Sequence, residues 1–132
     1  MNEQAIDTRL ARVIRTAPDR VEVRFKEGCK LDTAGISEIL ELRRKLGEQA
    51  PLKVMGVFPE DVDFEMDMLT KDHYAAHGTK DYTTAVAWVA QGSLQNQMTS
   101  LYLSYHPSPF RSAVLTNEAD AQRWLDAQGM DA

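Results

Sequence analysis

Leu52-Lys-Val-Met-Gly-Val-Phe58 and Ala85-Val-Ala-Trp-Val-Ala90 are the two stretches on which the fold turns. Both are nearly continuous apolar runs, and only Lys53 and Gly56 interrupt the first. A strand with one wet face alternates apolar and polar residues, whereas a strand buried on both faces does not. Uninterrupted runs of this kind belong to parallel sheets covered by helices. Upstream, Leu10 to Arg15 reads as a strand, and Val21-Glu-Val-Arg-Phe-Lys26 alternates with period two. Ala17-Pro18-Asp19-Arg20 between them has turn chemistry, so the two strands read as a hairpin.

The intervening segments read as helices. Asp32 is placed to cap the first, and Leu31 to staple onto Ile36. Ile36, Ile39, Leu40 and Leu46 form an apolar stripe, with Arg43, Arg44 and Lys45 at the negative end of the helix. Gly47 ends it and Pro51 prevents its resumption. Asp63 to His77 has helical length. Ser93 caps a helix carrying Leu94, Met98, Leu101, Tyr102 and Tyr105, which stops at His106-Pro107. Ser112 to Leu115 reads as the last strand, and Thr116 or Asn117 caps a final helix with Ala121, Trp124 and Leu125 inward. The order ββαβαβαβα predicts an α/β fold: a mainly parallel sheet of about five strands, an antiparallel edge hairpin and about four helices. Val54, Val57, Val86, Trp88, Leu101 and Trp124 are the expected core. One domain over residues 1–132, with its core at about 10–128, accommodates the whole order.

Composition narrows the function classes. Among 132 residues, 43% are hydrophobic and 27% charged, which suits a globular chain rather than a disordered one. The net charge of -5 argues against nucleic-acid binding, which needs a basic face. No apolar run reaches the roughly 18 residues of a membrane helix, and the charged first 25 residues lack a signal-peptide core. The lone Cys29 cannot form an internal disulfide, so a cytoplasmic location is expected. Acidity concentrates in residues 58–82, which hold seven acidic and two basic groups.

The stretch Tyr82-Thr-Thr-Ala-Val-Ala-Trp-Val-Ala90, then Gly92-Ser93, the helix ending at Tyr105-His106-Pro107, and Ser112-Ala-Val-Leu-Thr-Asn-Glu-Ala-Asp-Ala-Gln-Arg-Trp-Leu125 resemble the STAS/SpoIIAA-like proteins. The chain is similar to small bacterial members of that group. The resemblance covers about residues 21–126 and implies a right-handed β-α superhelix with an antiparallel edge strand. Better-known relatives are anti-anti-sigma factors with a phosphorylatable Ser or Thr after a buried strand. The corresponding segment here, Gly56 to Asp67, contains no hydroxyl residue, which argues against that switch.

Within it, Glu60, Asp61, Asp63, Glu65 and Asp67 admit three readings. Acids gather at helix N-termini, where the backbone dipole favours them by about 0.3–1 kcal/mol each. They also suit an acidic docking surface for a protein partner, with Phe58, Glu60, Asp61 and Asp63 as its residues. A calcium loop beginning at Asp61 would place Met66 where glycine is required and Asp72 where the closing Glu belongs. His73 and His77 have ligand spacing but lack a third zinc ligand nearby. No nucleophile elbow, phosphate loop or acid–base pair assembles, so neither catalysis nor a metal or other cofactor is expected. Trp88, Tyr102 and Tyr105 are candidates for lining an apolar pocket. The sequence therefore points first to a non-catalytic protein-interaction or regulatory module, expected to form a homodimer. The alternative is a carrier or sensor of an apolar small molecule or lipid.

Overall fold

Six strands hydrogen-bond into one mixed sheet in a computed structural model that describes residues 4–48, 51–59, 63–64, 82–92, 97–100, 102–103 and 110–128. In chain order the elements are β1 (Gln4–Asp7), β2 (Ala11–Ala17), β3 (Arg20–Phe25), β4 (Lys30–Leu31), α1 (Thr33–Leu46), β5 (Leu52–Val57), β6 (Asp63–Phe64), β7 (Thr83–Val89), the helical residues 97–100 and 102–103 (α2), β8 (Arg111–Leu115) and α3 (Glu118–Ala127). The sheet order is β1-β2-β3-β5-β7-β8. β1, β2 and β3 pair antiparallel, and β3, β5, β7 and β8 are parallel neighbours. This is the expected α/β class, with one more antiparallel strand than the sequence suggested. Three helices stand among the described residues, where four were expected.

β5 and β7 are buried on both faces, as their composition requires. On one face Val21, Val23, Val54 and Val86 meet α1 through Ile39. On the other, Met55, Ala85, Ala87 and Val89 pack beneath Ala121 and Leu125 of α3. Leu10, Ala11 and Val13 of the first hairpin join the α1 side of the core.

The caps follow from short-range chemistry. Asp32 accepts the Gly35 N–H and begins α1, while Gly47 donates its N–H to the Arg43 carbonyl and ends it. Arg9 also donates to Asp32 at 2.5 Å, and this bond with the Gly35 N–H holds the Asp32 carboxyl below its ordinary pKa. Of the two candidate caps for the last helix, Asn117 serves, accepting the Asp120 N–H at 2.8 Å. α3 is then clamped to β3 by charge. Arg24 grips both Glu118 carboxylate oxygens, at 2.6 and 3.2 Å, while Arg20 pairs with Asp126 and bonds Gln122. The Arg24 hydrogen bond is the main cause of a lowered Glu118 pKa, and it raises that of Arg24 in return.

Several expectations need correction. β1 was unforeseen, and the first hairpin strand runs from Ala11 to Ala17 rather than from Leu10 to Arg15. Asp63 does not start a helix: with Phe64 it pairs in parallel with Lys30 and Leu31, and the Asp63 N–H donates to the Cys29 carbonyl. The rest of the helix expected to reach His77 lies outside the described residues, as does Leu101. Val57, Trp88 and Trp124 are half-buried rather than buried, because each lies at the margin of its layer. Arg43 was expected at the negative end of the first helix with Arg44 and Lys45, and it stands in the last turn of α1. It is buried, on the same face as Ile39 and Leu40, and donates to Thr83 Oγ1 at 3.1 Å.

Candidate functional site

Three aromatic side chains stand side by side at the carboxyl ends of the parallel strands. Phe25 ends β3, Phe58 follows β5, and Trp88 is the penultimate residue of β7. The rings of Phe25 and Phe58 lie 5.0 Å apart, and those of Phe58 and Trp88 5.3 Å apart with an interplanar angle of 5°. Offset ring stacking of this kind adds about 0.5–1.5 kcal/mol per pair beyond area burial. The row depends on Gly56, which pairs in register with Trp88. A Cβ at Gly56 would fall 2.6 Å from two atoms of the indole ring, closer than any side chain tolerates.

Between this row and the helices lies a cavity of about 70 Å³. α1 contributes Ile36, Ile39, Leu40 and Arg43, and α2 contributes Met98, Thr99 and Tyr102. Leu31 of β4 closes one side. Among the described lining residues the surface is almost wholly apolar, and Arg43 carries the one formal charge. Arginine keeps that charge at any pH a protein meets. Trp88 Nε1 is buried and has no hydrogen-bond partner in the structure. An unsatisfied buried donor costs about 1–3 kcal/mol.

Of the residues expected to line an apolar pocket, Trp88 and Tyr102 do so, and Tyr105 lies outside the described residues. Phe58, expected with the acidic docking group, is only 7% exposed and belongs to this wall. Asp63 is exposed on β6, one residue from the strand position paired with Leu31. Glu60 and Asp61 lie outside the described residues. Phe25 and Arg43 are wall residues that the sequence reading passed over. Phe25 was hidden in the hairpin alternation, and Arg43 in a basic triplet with an obvious dipole explanation. The available signal was spacing, since Arg43 falls seven residues after Ile36 and four after Ile39, on the apolar stripe.

Among the described residues no three His, Cys, Asp or Glu side chains gather to hold a metal, and no helix is long and apolar enough to cross a membrane. No curated protein and no solved structure matches the chain. A family model does match it, over residues 20–128, a span that runs from the start of β3 through α3 and takes in every described residue of the cavity wall. The chain belongs to that family, described as Domain of unknown function (DUF7793).

Proposed function

We propose that the protein is a non-catalytic, STAS/SpoIIAA-like binding module that holds a small apolar molecule, or the apolar end of a larger one, between its sheet and helices. The order in which β3, β5, β7 and β8 follow one another across the sheet supports the likeness. The observation that carries the binding role is the cavity walled by the stacked rings of Phe25, Phe58 and Trp88. Its aromatic wall stands at the carboxyl ends of parallel strands, where ligands of open α/β sheets characteristically bind. Its volume of about 70 Å³ limits the occupant. Drug-sized ligands and whole lipids occupy roughly 300–1,000 Å³, so a lipid would enter only by one end.

Xenon provides a direct test, because dry apolar cavities take it up. Under xenon pressure, NMR resonances of Ile39 and Val54 should shift while those of the α3 face, such as Leu125, stay in place. Native mass spectrometry of protein purified from its own host should show a small bound molecule. Unmoved Ile39 and Val54 resonances together with a bare mass would overturn the reading.

A further inference from the structure

We infer that the cavity selects a short alkyl group of about three carbons, as a small hydrocarbon or as the end of a longer chain, and excludes six-membered rings and polar head groups. The inference rests on the binding role proposed above and adds a ligand class to it. Size sets the carbon count. An apolar cavity of about 150 Å³ takes up benzene, which allows about 25 Å³ for each carbon. On that scale a volume of about 70 Å³ holds about three carbons, half of a benzene ring.

The wall is held at that size. Phe58 stacks between Phe25 and Trp88, with ring centroids at 5.0 and 5.3 Å. The Trp88 indole lies so close over Gly56 that it cannot move further toward β5. Opposite, the bond from Arg43 to Thr83 Oγ1 at 3.1 Å ties α1 to β7, and Asp32 and Gly47 fix the two ends of that helix. A closely packed wall yields to extra carbons only at a cost in affinity. Polarity excludes the head group. The described lining surface is almost wholly apolar, and Arg43, Thr99 and Tyr102 each engage other groups of the protein. A head group drawn in from water would lose hydrogen bonds without replacement, whereas an alkyl group has none to lose.

Propane, 1-hexanol and benzene test the inference, each titrated against the wild-type protein and followed by NMR. Propane should shift the Ile39 and Val54 resonances and leave Leu125 in place, and benzene should bind at least about tenfold more weakly. Matching shifts with 1-hexanol would identify the end of a longer chain whose head group stays outside. Shifts with propane alone would identify a whole small hydrocarbon, and either result supports the alkyl assignment. Ile39→Ala removes from the wall as many carbons as the cavity is inferred to hold, bringing its volume near the roughly 150 Å³ at which benzene enters. In that variant, with the fold checked by circular dichroism, benzene should bind at least as tightly as propane. If the variant does not fold, the wild-type ratio still decides. Benzene binding to wild type as tightly as propane, or exclusion of benzene from folded Ile39→Ala, would overturn the alkyl assignment and leave the cavity reading standing. Xenon uptake without binding of propane or 1-hexanol would do the same. No uptake of xenon, propane, 1-hexanol or benzene would overturn both.

Discussion

Gly56 shows how much one missing Cβ can determine. The Trp88 indole lies directly over it, and the stacked row and the cavity wall depend on that approach. Gly56→Ala should displace the ring and cost about 1–3 kcal/mol, read as a lower denaturant midpoint, with the Phe58–Trp88 stack lost. An unchanged midpoint would mean that the ring has room to slide. Asp32 concentrates two roles in one carboxylate, as helix cap and as partner of Arg9. Asp32→Ala should cost about 1 kcal/mol, and Asp32→Asn, which still caps, should cost less. Residue chemistry of this kind is legible in sequence, because a cap needs only its own helix start. Arg43 was not, because its contact with Thr83 is made across the core, forty residues away.

At the scale of elements, legibility followed length and burial. β5, β7, α1 and α3 were readable because each presents enough apolar residues to show its period. β1 was not: Gln4-Ala-Ile-Asp7 is four residues long with one large apolar side chain, and it forms an edge that needs no second buried face. The pairing of Lys30-Leu31 with Asp63-Phe64 is two residues long on each side, below any periodic signal. It also removes Asp63 from the helix start for which its charge seemed suited. The α1 cap and the α3 clamp together predict a pH dependence. Asp32 and Glu118 have lowered pKa values in the folded state, so the unfolded chain binds their protons first as pH falls. Their stabilisation is complete above the ordinary carboxylate range and is lost as pH drops through it and below. Both pairs are partly exposed, so the loss should stay near 1 kcal/mol in total, measured as the urea midpoint between about pH 6 and pH 3. Asp32→Asn combined with Glu118→Gln should flatten that profile, and a slope unchanged in the double variant would assign it to other carboxylates.

For the molecule as a whole, the sheet divides the core into two layers of unequal role. The α1 side holds the cavity and the aromatic row. The α3 side is packed by Met55, Ala85, Ala87, Val89, Ala121 and Leu125. Leu125→Ala should therefore cost about 2–5 kcal/mol and leave ligand binding unchanged wherever the variant is folded. Trp124→Ala, at a half-buried position, should cost less than Leu125→Ala. Calorimetric melting of the two variants checks the order, and a reversed ranking would show that the indole carries that face.

The clamp between Arg20 and Asp126 joins residues 106 apart in sequence, and that between Arg24 and Glu118 spans 94. Bonds that close such long loops form only after most of the chain is in place, because the entropy of closure must first be offset by other contacts. The clamp should therefore be absent at the folding barrier and present only beyond it. Arg24→Met should leave the refolding rate nearly unchanged and speed unfolding, so that these surface charges govern how long the folded molecule lasts rather than how fast it forms. Stopped-flow kinetics across a urea series separates the two limbs, and a slowed refolding limb would place α3 in the nucleus instead.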